Sequence, residues 1–239
     1  MSGKISSGYD LHIHSCLSPC ADFLMTPGNI VKQAAAMGLE YIAITDHNSA
    51  GNVRAALEFA RKNGLKLIPA MEVETREEVH LLCYFSSIDR LLELEEVVHK
   101  HLPDMDNDEE LFGYQLLTDH NDEYTAKEER LLALATELSL VQALKLVTNL
   151  GGVAVPAHVD RPTNSILGQL GFIPPDERIT VIEISRNTDP ESFLRRHPQL
   201  KGYGIIQGSD SHYLPEIGCC RSSQCFGLEG LGSILQAIF

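Results

Sequence analysis

The chain has 239 residues, 44% of them hydrophobic, which is enough for one large α/β domain or two small ones. Its net charge of −14 and its lack of a Lys/Arg run disfavour general nucleic-acid binding, because affinity for phosphate backbones comes largely from these side chains. The first residues lack the apolar stretch of a signal peptide, and no window is long and apolar enough for a transmembrane helix. We therefore expect a cytoplasmic protein without a membrane segment.

Short apolar runs alternate with amphipathic segments along the chain. The predicted strands are 9–14, 39–45, 65–73, 79–85, 153–158, 180–185 and 203–210. The predicted helices are 27–38, 50–63, 86–101, 138–152, 189–197 and 228–238. The strand at 79–85 follows its predecessor so closely that we expect an antiparallel or short-linked pair. The remaining alternation indicates an α/β fold with a largely parallel sheet, and closure into a barrel would gather the strand ends at one site.

Residues 103–137 interrupt this alternation with an acidic, turn-rich stretch. We interpret them as an insertion near the mouth of the active site, within a single domain that spans 1–239. Asp119, His120 and Asp122 lie in this stretch. A solvated acidic surface explains them better than a further metal site does.

The six cysteines do not indicate a disulfide scaffold in a chain of this length. Cys16 and Cys20 lie near the start of the chain, and Cys219, Cys220 and Cys225 lie near its end. No CxxC pair is present, so we interpret them as free thiols, with a structural metal or cluster site as the alternative.

Nine residues with the chemistry of metal ligands lie in or just after predicted strands. They are His12, His14, Asp22, His47, Glu72, His80, His158, Asp210 and His212. One histidine beside a strand is usually a packed side chain, but nine such residues at similar positions are hard to explain by packing. Imidazole and carboxylate together bind Zn, Mn or Fe. The set exceeds what one tetrahedral ion can use, so it predicts two or three divalent ions.

Two spacings support this prediction. His12 and His14 alternate on one strand and therefore face the same side, and Asp210 and His212 repeat that spacing after another strand. Glu72 ends the apolar run IPAMEV, where a buried carboxylate would be costly without a partner. A cation is a natural partner, and a carboxylate can bridge two of them. Glu74 shares the face of Glu72, and we expect it outside the ligand set.

The segments YDLHIHSCLSPCAD, ITDHNSAG, IPAMEVE, VHLLCYF, VPAHVDRP and GSDSH occur in this order from residue 9 to residue 212. Together they resemble the motifs of the PHP (polymerase and histidinol phosphatase) phosphoesterases. The resemblance implies a distorted, TIM-like (β/α)7 barrel that holds up to three divalent metals.

The resemblance also implies a distribution of ligands. The first ion would take His12, His14, Glu72 and Asp210, and the second would take Glu72, His80 and His158, with Glu72 as the bridge. His47, His212 and one residue of the loop after His14 would bind the third. This loop departs from the family pattern, because its SPCAD segment offers both Cys20 and Asp22. We favour Asp22, since its distance from Thr26 resembles the family spacing.

These features predict a metal-dependent phosphoesterase in which metal-activated hydroxide attacks a small phosphorylated metabolite, such as histidinol phosphate or a nucleotide. Glu72, His158 and Asp210 are the predicted catalytic residues. Arg161 and then Arg186 are the candidates for binding the phosphoryl group. The alternatives are a nuclease or polymerase-associated proofreading module and a non-catalytic metal-binding regulator.

Overall fold

The computed structural model describes residues 8–176, 178–218 and 232–236. The strands are β1 (Gly8–Ile13), β2 (Leu39–Ile44), β3 (Lys66–Leu67), β4 (Ala70–Glu74), β5 (His80–Tyr84), β6 (Leu116–Thr118), β7 (Tyr124–Lys127), β8 (Val153–Pro156), β9 (Val181–Ser185) and β10 (Gly204–Gly208). The helices are α1 (Pro27–Ala36), α2 (Val53–Asn63), α3 (Ile88–His101), α4 (Leu140–Asn149), α5 (Ile166–Leu170) and α6 (Pro190–Arg196). Residues 232–236 are also helical. The rest of the predicted helix at 228–238 lies outside the described residues, as do Cys219, Cys220 and Cys225.

The predicted α/β class is confirmed, but the hydrogen bonding is divided among several sheets. Strands β1, β2 and β3 form a parallel sheet, and β9 and β10 form a second parallel pair. Strands β4, β5 and β8 form an antiparallel sheet. Single parallel bridges, Ile13 to Ser211 and His47 to Glu72, connect neighbouring sheets. The described residues thus form no continuous hydrogen-bonded ring, and the seven-stranded barrel stays a prediction.

The predicted strand at 65–73 is divided in two. Pro69 lies between β3 and β4 and has no N–H to donate to a ladder, although its carbonyl oxygen accepts the N–H of Phe85 at 2.9 Å. The antiparallel pairing predicted for 79–85 is confirmed, since β4 and β5 pair in that sense, with Glu72 opposite Leu82. This hairpin brings Glu72 and His80 to the same region.

The segment 103–137 contains the hairpin β6–β7, which the sequence did not predict. It packs on the loop that follows β1, where the Leu116 N–H donates to the carbonyl oxygen of Cys16 at 2.8 Å. Asp122 accepts the Thr26 hydroxyl at 2.6 Å and the Gly28 N–H at 2.8 Å, so it caps the start of α1. The segment therefore supports both the loop after β1 and the following helix.

The core consists of the buried faces of these strands and helices. Strands β4 and β5 are buried along their whole length. The imidazoles and carboxylates that interrupt these runs are equally buried, with His12 and His14 at 0% exposure and Glu72 at 1%. No helix among the described residues is both long and apolar enough to cross a bilayer.

Candidate metal centre

Glu72 lies at the centre of the buried histidines, and its two carboxylate oxygens face different sets of them. Oε1 lies 3.0 Å from His80 Nδ1, 3.3 Å from His12 Nε2 and 3.5 Å from His158 Nε2. Oε2 lies 3.1 Å from His47 Nδ1 and 3.5 Å from His14 Nε2. Ligand atoms that share an ion at about 2.0–2.2 Å are separated by roughly 3–3.5 Å. The spacing around Glu72 matches such coordination shells on both sides of the carboxylate.

Asp210 completes the set around the two histidines of β1. Its Oδ1 lies 3.2 Å from His12 Nε2 and 3.1 Å from His14 Nε2. Asp210 and His158 both adopt positive φ angles, 50° and 31°, which are uncommon for residues with side chains. Backbone strain of this kind concentrates at functional sites, where the surrounding structure holds it in place.

Glu183, on β9, orients His12 from behind. One carboxylate oxygen lies 2.9 Å from Nδ1 of His12 and accepts the backbone N–H of His158 at 3.0 Å. Because a carboxylate only accepts, His12 carries a proton on Nδ1, and Nε2 is the ring atom that faces Asp210 and Glu72. Metal-binding histidines commonly have such a carboxylate on their second nitrogen.

His14 is oriented in the same way through a hydroxyl. Ser18 Oγ donates to Asp46 Oδ1 at 2.7 Å, so its lone pairs accept from His14 Nδ1 at 3.0 Å and from the His47 N–H at 3.2 Å. His14 therefore also presents Nε2. The amide of Asn164 lies 3.0 Å from His80 Nε2, which leaves Nδ1 of His80 facing Glu72.

The cluster contains buried polar atoms that make no hydrogen bond of good geometry, although His80 Nδ1 and His47 Nδ1 lie 3.0 and 3.1 Å from oxygens of Glu72. Among the described residues, these atoms are His47 Nδ1, Glu72 Oε1, His80 Nδ1 and His158 Nδ1 in the cluster and Asn107 Oδ1 elsewhere. Each unsatisfied buried group costs about 1–3 kcal/mol. Imidazole nitrogens and carboxylate oxygens are ligands of divalent ions, so the residues of the cluster fit metal binding. The candidate ligand groups are His12–His14–Glu72, His12–His158–Asp210, His47–Glu72–His80 and His14–Cys20–His47–His212.

The pKa shifts describe how the cluster balances its charge without ions. Burial would raise the pKa of Glu72, but His80 and His12 lower it well below its ordinary value. Burial would likewise lower the pKa of His80, but Glu72 raises it to about 9. His14 has a pKa well below its ordinary value because of burial and the neighbouring His212 and His47. Protons on these rings compete with metals, since only a neutral imidazole binds an ion.

The loop after β1 brings Cys20, and not Asp22, to the cluster. The Sγ atom of Cys20 lies 3.1 Å from His212 Nε2. Asp22 instead accepts the Leu24 N–H at 2.8 Å in a local turn at the surface and belongs to no ligand group in the described chain. The structure thus favours Cys20 over Asp22 as the ligand from this loop. Burial opposes the thiolate of Cys20, but His47 and His212 lower its pKa to about 6.

The two arginines differ in their relation to the cluster. Arg161 lies 2.6 Å from Asp210 Oδ2 through Nη1, and its side chain is 41% exposed. It lines a cavity at the mouth of the cluster. The other residues that line this cavity are Thr163, Asn164, Glu72, Asp210, His47, His80, His158 and His212. Arg186 instead lies 2.7 Å from Glu216, whose other oxygen accepts the N–H of His212 at 3.0 Å. Arg186 therefore supports the turn that carries His212.

Several residues outside the predicted ligand set support the cluster. Asp46 and Ser18 hold His14, and Asn164 contacts His80 through its side chain and its backbone carbonyl. Glu183 interrupts the apolar run VIEIS, where a lone buried carboxylate needs a partner; the sequence suggests Arg186 or a substrate as that partner, but in the structure it is His12. Asp119 and His120 lie in a turn of the insertion, where Asp119 accepts the Asn121 N–H, and neither belongs to a ligand group in the described residues.

The family model of the PHP domain matches residues 10–168. The chain belongs to the PHP family. It is 38% identical over 79 residues to the 5'-3' exoribonuclease Rnm of Salmonella typhimurium, which covers 31% of this chain and 26% of the relative. It is 33% identical over 78 residues to the phosphoribosyl 1,2-cyclic phosphate 1,2-diphosphodiesterase of Eggerthella lenta, which covers 30% of this chain and 29% of the relative.

The fold is similar to that of solved PHP structures. The lesion-specific endonuclease EndoQ of Pyrococcus furiosus superposes with a TM-score of 0.62 at 20% identity, over 87% of this chain and 49% of the endonuclease. At that identity the likeness concerns the fold alone. The alignments to the curated relatives span less than a third of their lengths.

Proposed function

We propose that the chain is a metal-dependent phosphoesterase. The observation that carries this proposal is the position of Glu72, whose two oxygens face separate sets of buried histidines at 3.0–3.5 Å. A carboxylate placed in this way can bridge two ions, and pairs of divalent ions recur in enzymes that hydrolyse phosphate esters. Membership of the PHP family supports the same conclusion.

In this proposal, one ion is held by His12, His14, Glu72 and Asp210, and a second by Glu72, His80 and His158. His47 and His212 belong to a third position. Divalent Zn, Mn or Fe bound here would supply Lewis acidity and a nucleophile at neutral pH. Glu72, His158 and Asp210 are the proposed catalytic residues, because they would hold the ions that activate the nucleophile and the phosphoryl group.

The chain's own residues orient this centre and bind the substrate. Glu183 and Ser18 keep Nε2 of His12 and His14 available, so the ligand atoms are in place before the ions bind. Arg161 lies at the mouth with part of its guanidinium exposed, where it can donate to phosphoryl oxygens. Arg186 is a weaker candidate for this contact, because it is paired with Glu216.

The substrate class is the finer part of the proposal. The mouth cavity offers one arginine beside small polar side chains, which suits the phosphate of a small metabolite or nucleotide. A nucleolytic activity is the second candidate. The net charge of −14 disfavours it, but a relative with 38% identity over 79 residues is named as an exoribonuclease. Nucleic acid therefore stays among the candidate substrates.

A panel of substrates separates these possibilities. The purified chain, freed of metal and reloaded with Zn, Mn or Fe, would be tested on a phosphomonoester, a phosphodiester, a nucleoside 3',5'-bisphosphate and a 5'-phosphorylated RNA oligonucleotide. Metal-dependent release of phosphate or nucleotide from any of them supports the proposal, and the preferred member names the class. Tight metal binding without hydrolysis of any of them would favour a metal-binding regulator instead.

A further inference from the structure

The loop between β1 and α1 folds in a way that turns Cys20 toward the cluster. Its ends are joined by the Cys16 N–H, which donates to the Met25 carbonyl oxygen at 2.8 Å, and a turn follows in which Ala21 donates to Ser18 at 3.0 Å. The Asp22 N–H donates to the His212 carbonyl oxygen at 2.9 Å. This bond between Asp22 and His212 joins the loop to the segment that carries His212. The thiol of Cys20 and the imidazole of His212 therefore lie side by side.

The hydrogen bonds of His212 determine which nitrogen faces the sulfur. Nδ1 lies 2.8 Å from the carbonyl oxygen of Asp210, which can only accept, so Nδ1 carries the proton. The Nε2 lone pair therefore points to Cys20, at 3.1 Å from Sγ. The second nitrogen of His212 is thus fixed by a backbone acceptor, as in many metal-binding histidines.

Three histidines surround the thiol, but they are not equally available. The ligand atoms of His14, Cys20, His47 and His212 all lie within 4.8 Å of one another. His14 has Nδ1 bonded to Ser18, so only Nε2 can bind an ion, and this atom also lies 3.1 Å from Asp210. If His14 serves the ion beside Asp210, then Cys20, His47 and His212 remain. Three protein ligands with one open position are typical of catalytic zinc sites.

We infer that Cys20, His47 and His212 form a thiolate–imidazole site for the third ion and that this site prefers Zn²⁺ to Mn²⁺. The inference rests on the cluster of the proposed function and adds a sulfur ligand that the groups without Cys20 lack. The three ligand groups without Cys20 contain only nitrogen and oxygen ligand atoms. Sulfur is a soft ligand that favours zinc, whereas carboxylate and water suit manganese. The preference for Zn²⁺ over Mn²⁺ should therefore be strongest at the site that contains Cys20.

Cobalt substitution tests the sulfur ligand directly. Metal-free protein titrated with Co²⁺ should develop a thiolate-to-cobalt charge-transfer band, which nitrogen and oxygen ligands do not produce. The Cys20→Ser variant should lose this band and one equivalent of metal per chain. The matched Asp22→Asn variant should retain both, because its carboxylate faces a surface turn. Absence of the band in the wild type, its persistence in Cys20→Ser, or metal loss in Asp22→Asn alone would overturn the assignment.

Alkylation of the unsubstituted protein gives a second measurement that does not depend on a variant. Iodoacetamide followed by mass mapping should label Cys20 in the metal-free protein, because it is exposed, unlike the buried Cys16 and Cys83. Zn²⁺ should protect Cys20 several-fold more than an equal concentration of Mn²⁺ does. Equal labelling with and without Zn²⁺ would contradict the inference. Both measurements are independent of hydrolysis, so a chain that binds Co²⁺ through sulfur but cleaves no phosphoester would refute the proposed function and leave this inference standing.

Discussion

Glu183 and His12 lie 171 residues apart in the chain, yet their side chains meet at 2.9 Å inside the protein. The same carboxylate accepts the backbone N–H of His158. Strand β9 thus positions a histidine of β1 and the backbone at the end of β8. Gly208 on β10 makes the contact possible, because a Cβ at this position would lie 2.6 Å from His12 Cβ and closer still to Glu183 Oε1.

Replacing Glu183 by Gln should weaken metal binding without removing any ligand. The amide keeps the shape of the side chain but loses the negative charge that makes Nε2 of His12 a stronger metal ligand. Loss of such a partner typically costs about 10- to 100-fold in metal affinity or activity. Competition with a chelator would measure the affinity. Asp89→Asn, at an exposed ion pair with Arg54, is the control and should leave affinity unchanged. Equal affinities for Glu183→Gln and wild type would remove Glu183 from this role.

Gly208→Ala should also weaken metal binding, because a side chain at this position would disturb the contact between Glu183 and His12. The new methyl group would displace Glu183 from His12, since both are buried and neither can move into solvent. We expect a lower melting temperature and weaker metal binding. Gly202→Ala is the matched control, because nothing lies within 4 Å of its Cβ position. If both variants behave alike in thermal denaturation and chelator competition, the close packing at Gly208 does not matter.

Glu72→Gln should abolish hydrolysis and lower the metal content by more than one equivalent. The amide presents one oxygen and one NH₂ group where two sets of histidines face two carboxylate oxygens. Elemental analysis with activity measurement would check both expectations. Glu74→Gln serves as the comparison, since Glu74 lies 3.7 Å from His80 Nε2 and belongs to no ligand group within the described part of the chain. Unchanged metal content in Glu72→Gln would exclude Glu72 as the bridging ligand.

The metal-free protein should lose stability as the pH rises from 6.5 toward 9. The pKa of His80 is raised from 6.5 to about 9, because the attraction of Glu72 outweighs burial. A group with a raised pKa stabilises the fold fully below its unfolded value, and the contribution is lost as the pH passes the folded value. Glu72 stays ionised throughout this range. Saturating Zn²⁺ should remove the dependence, since the ion replaces the proton. Melting temperatures measured with and without metal would show whether the two curves converge at low pH.

The sequence was sufficient to find most of the cluster, and the reason is energetic. A carboxylate such as Glu72 or an imidazole such as His80 is conspicuous in an apolar strand, because burial without a partner is costly. Strand periodicity then predicts which side chains share a face. His12, His14, Glu72, His80, His158 and Asp210 do converge.

Residues in loops were harder to predict, because spacing along an irregular loop does not determine where a side chain points. Asp22 has the spacing of a ligand, but a local turn with Leu24 uses its carboxylate, and Cys20 faces the cluster instead. Arg186 is similar: its partner Glu216 lies 30 residues away, and no local pattern indicates the pair. Pro69 was visible in the sequence, but whether a proline divides a strand depends on the hydrogen-bond register of the sheet, which the sequence does not show.

Arg161 should contribute to phosphate binding rather than to metal binding. It lies at the mouth of the cavity, 2.6 Å from Asp210, with 41% of its side chain exposed. A guanidinium here can donate to two phosphoryl oxygens at once, which an ammonium group cannot match. Contacts made before and during the reaction raise KM when removed, and contacts that strengthen in the transition state also lower kcat. We expect Arg161→Ala to show both effects and Arg161→Lys to recover only part of the loss.

Steady-state kinetics on any phosphoester that the wild type hydrolyses would test this expectation, with metal content measured in parallel. Metal content should stay constant, because Arg161 pairs with Oδ2 of Asp210, whereas the other oxygen, Oδ1, faces His12 and His14 at 3.2 and 3.1 Å. Arg54→Ala is the control, since Arg54 is 62% exposed and pairs with an exposed aspartate. Wild-type efficiency in Arg161→Ala would mean that the ion pair with Asp210 is structural. Loss of metal in that variant would instead show that Arg161 acts by holding Asp210 in place.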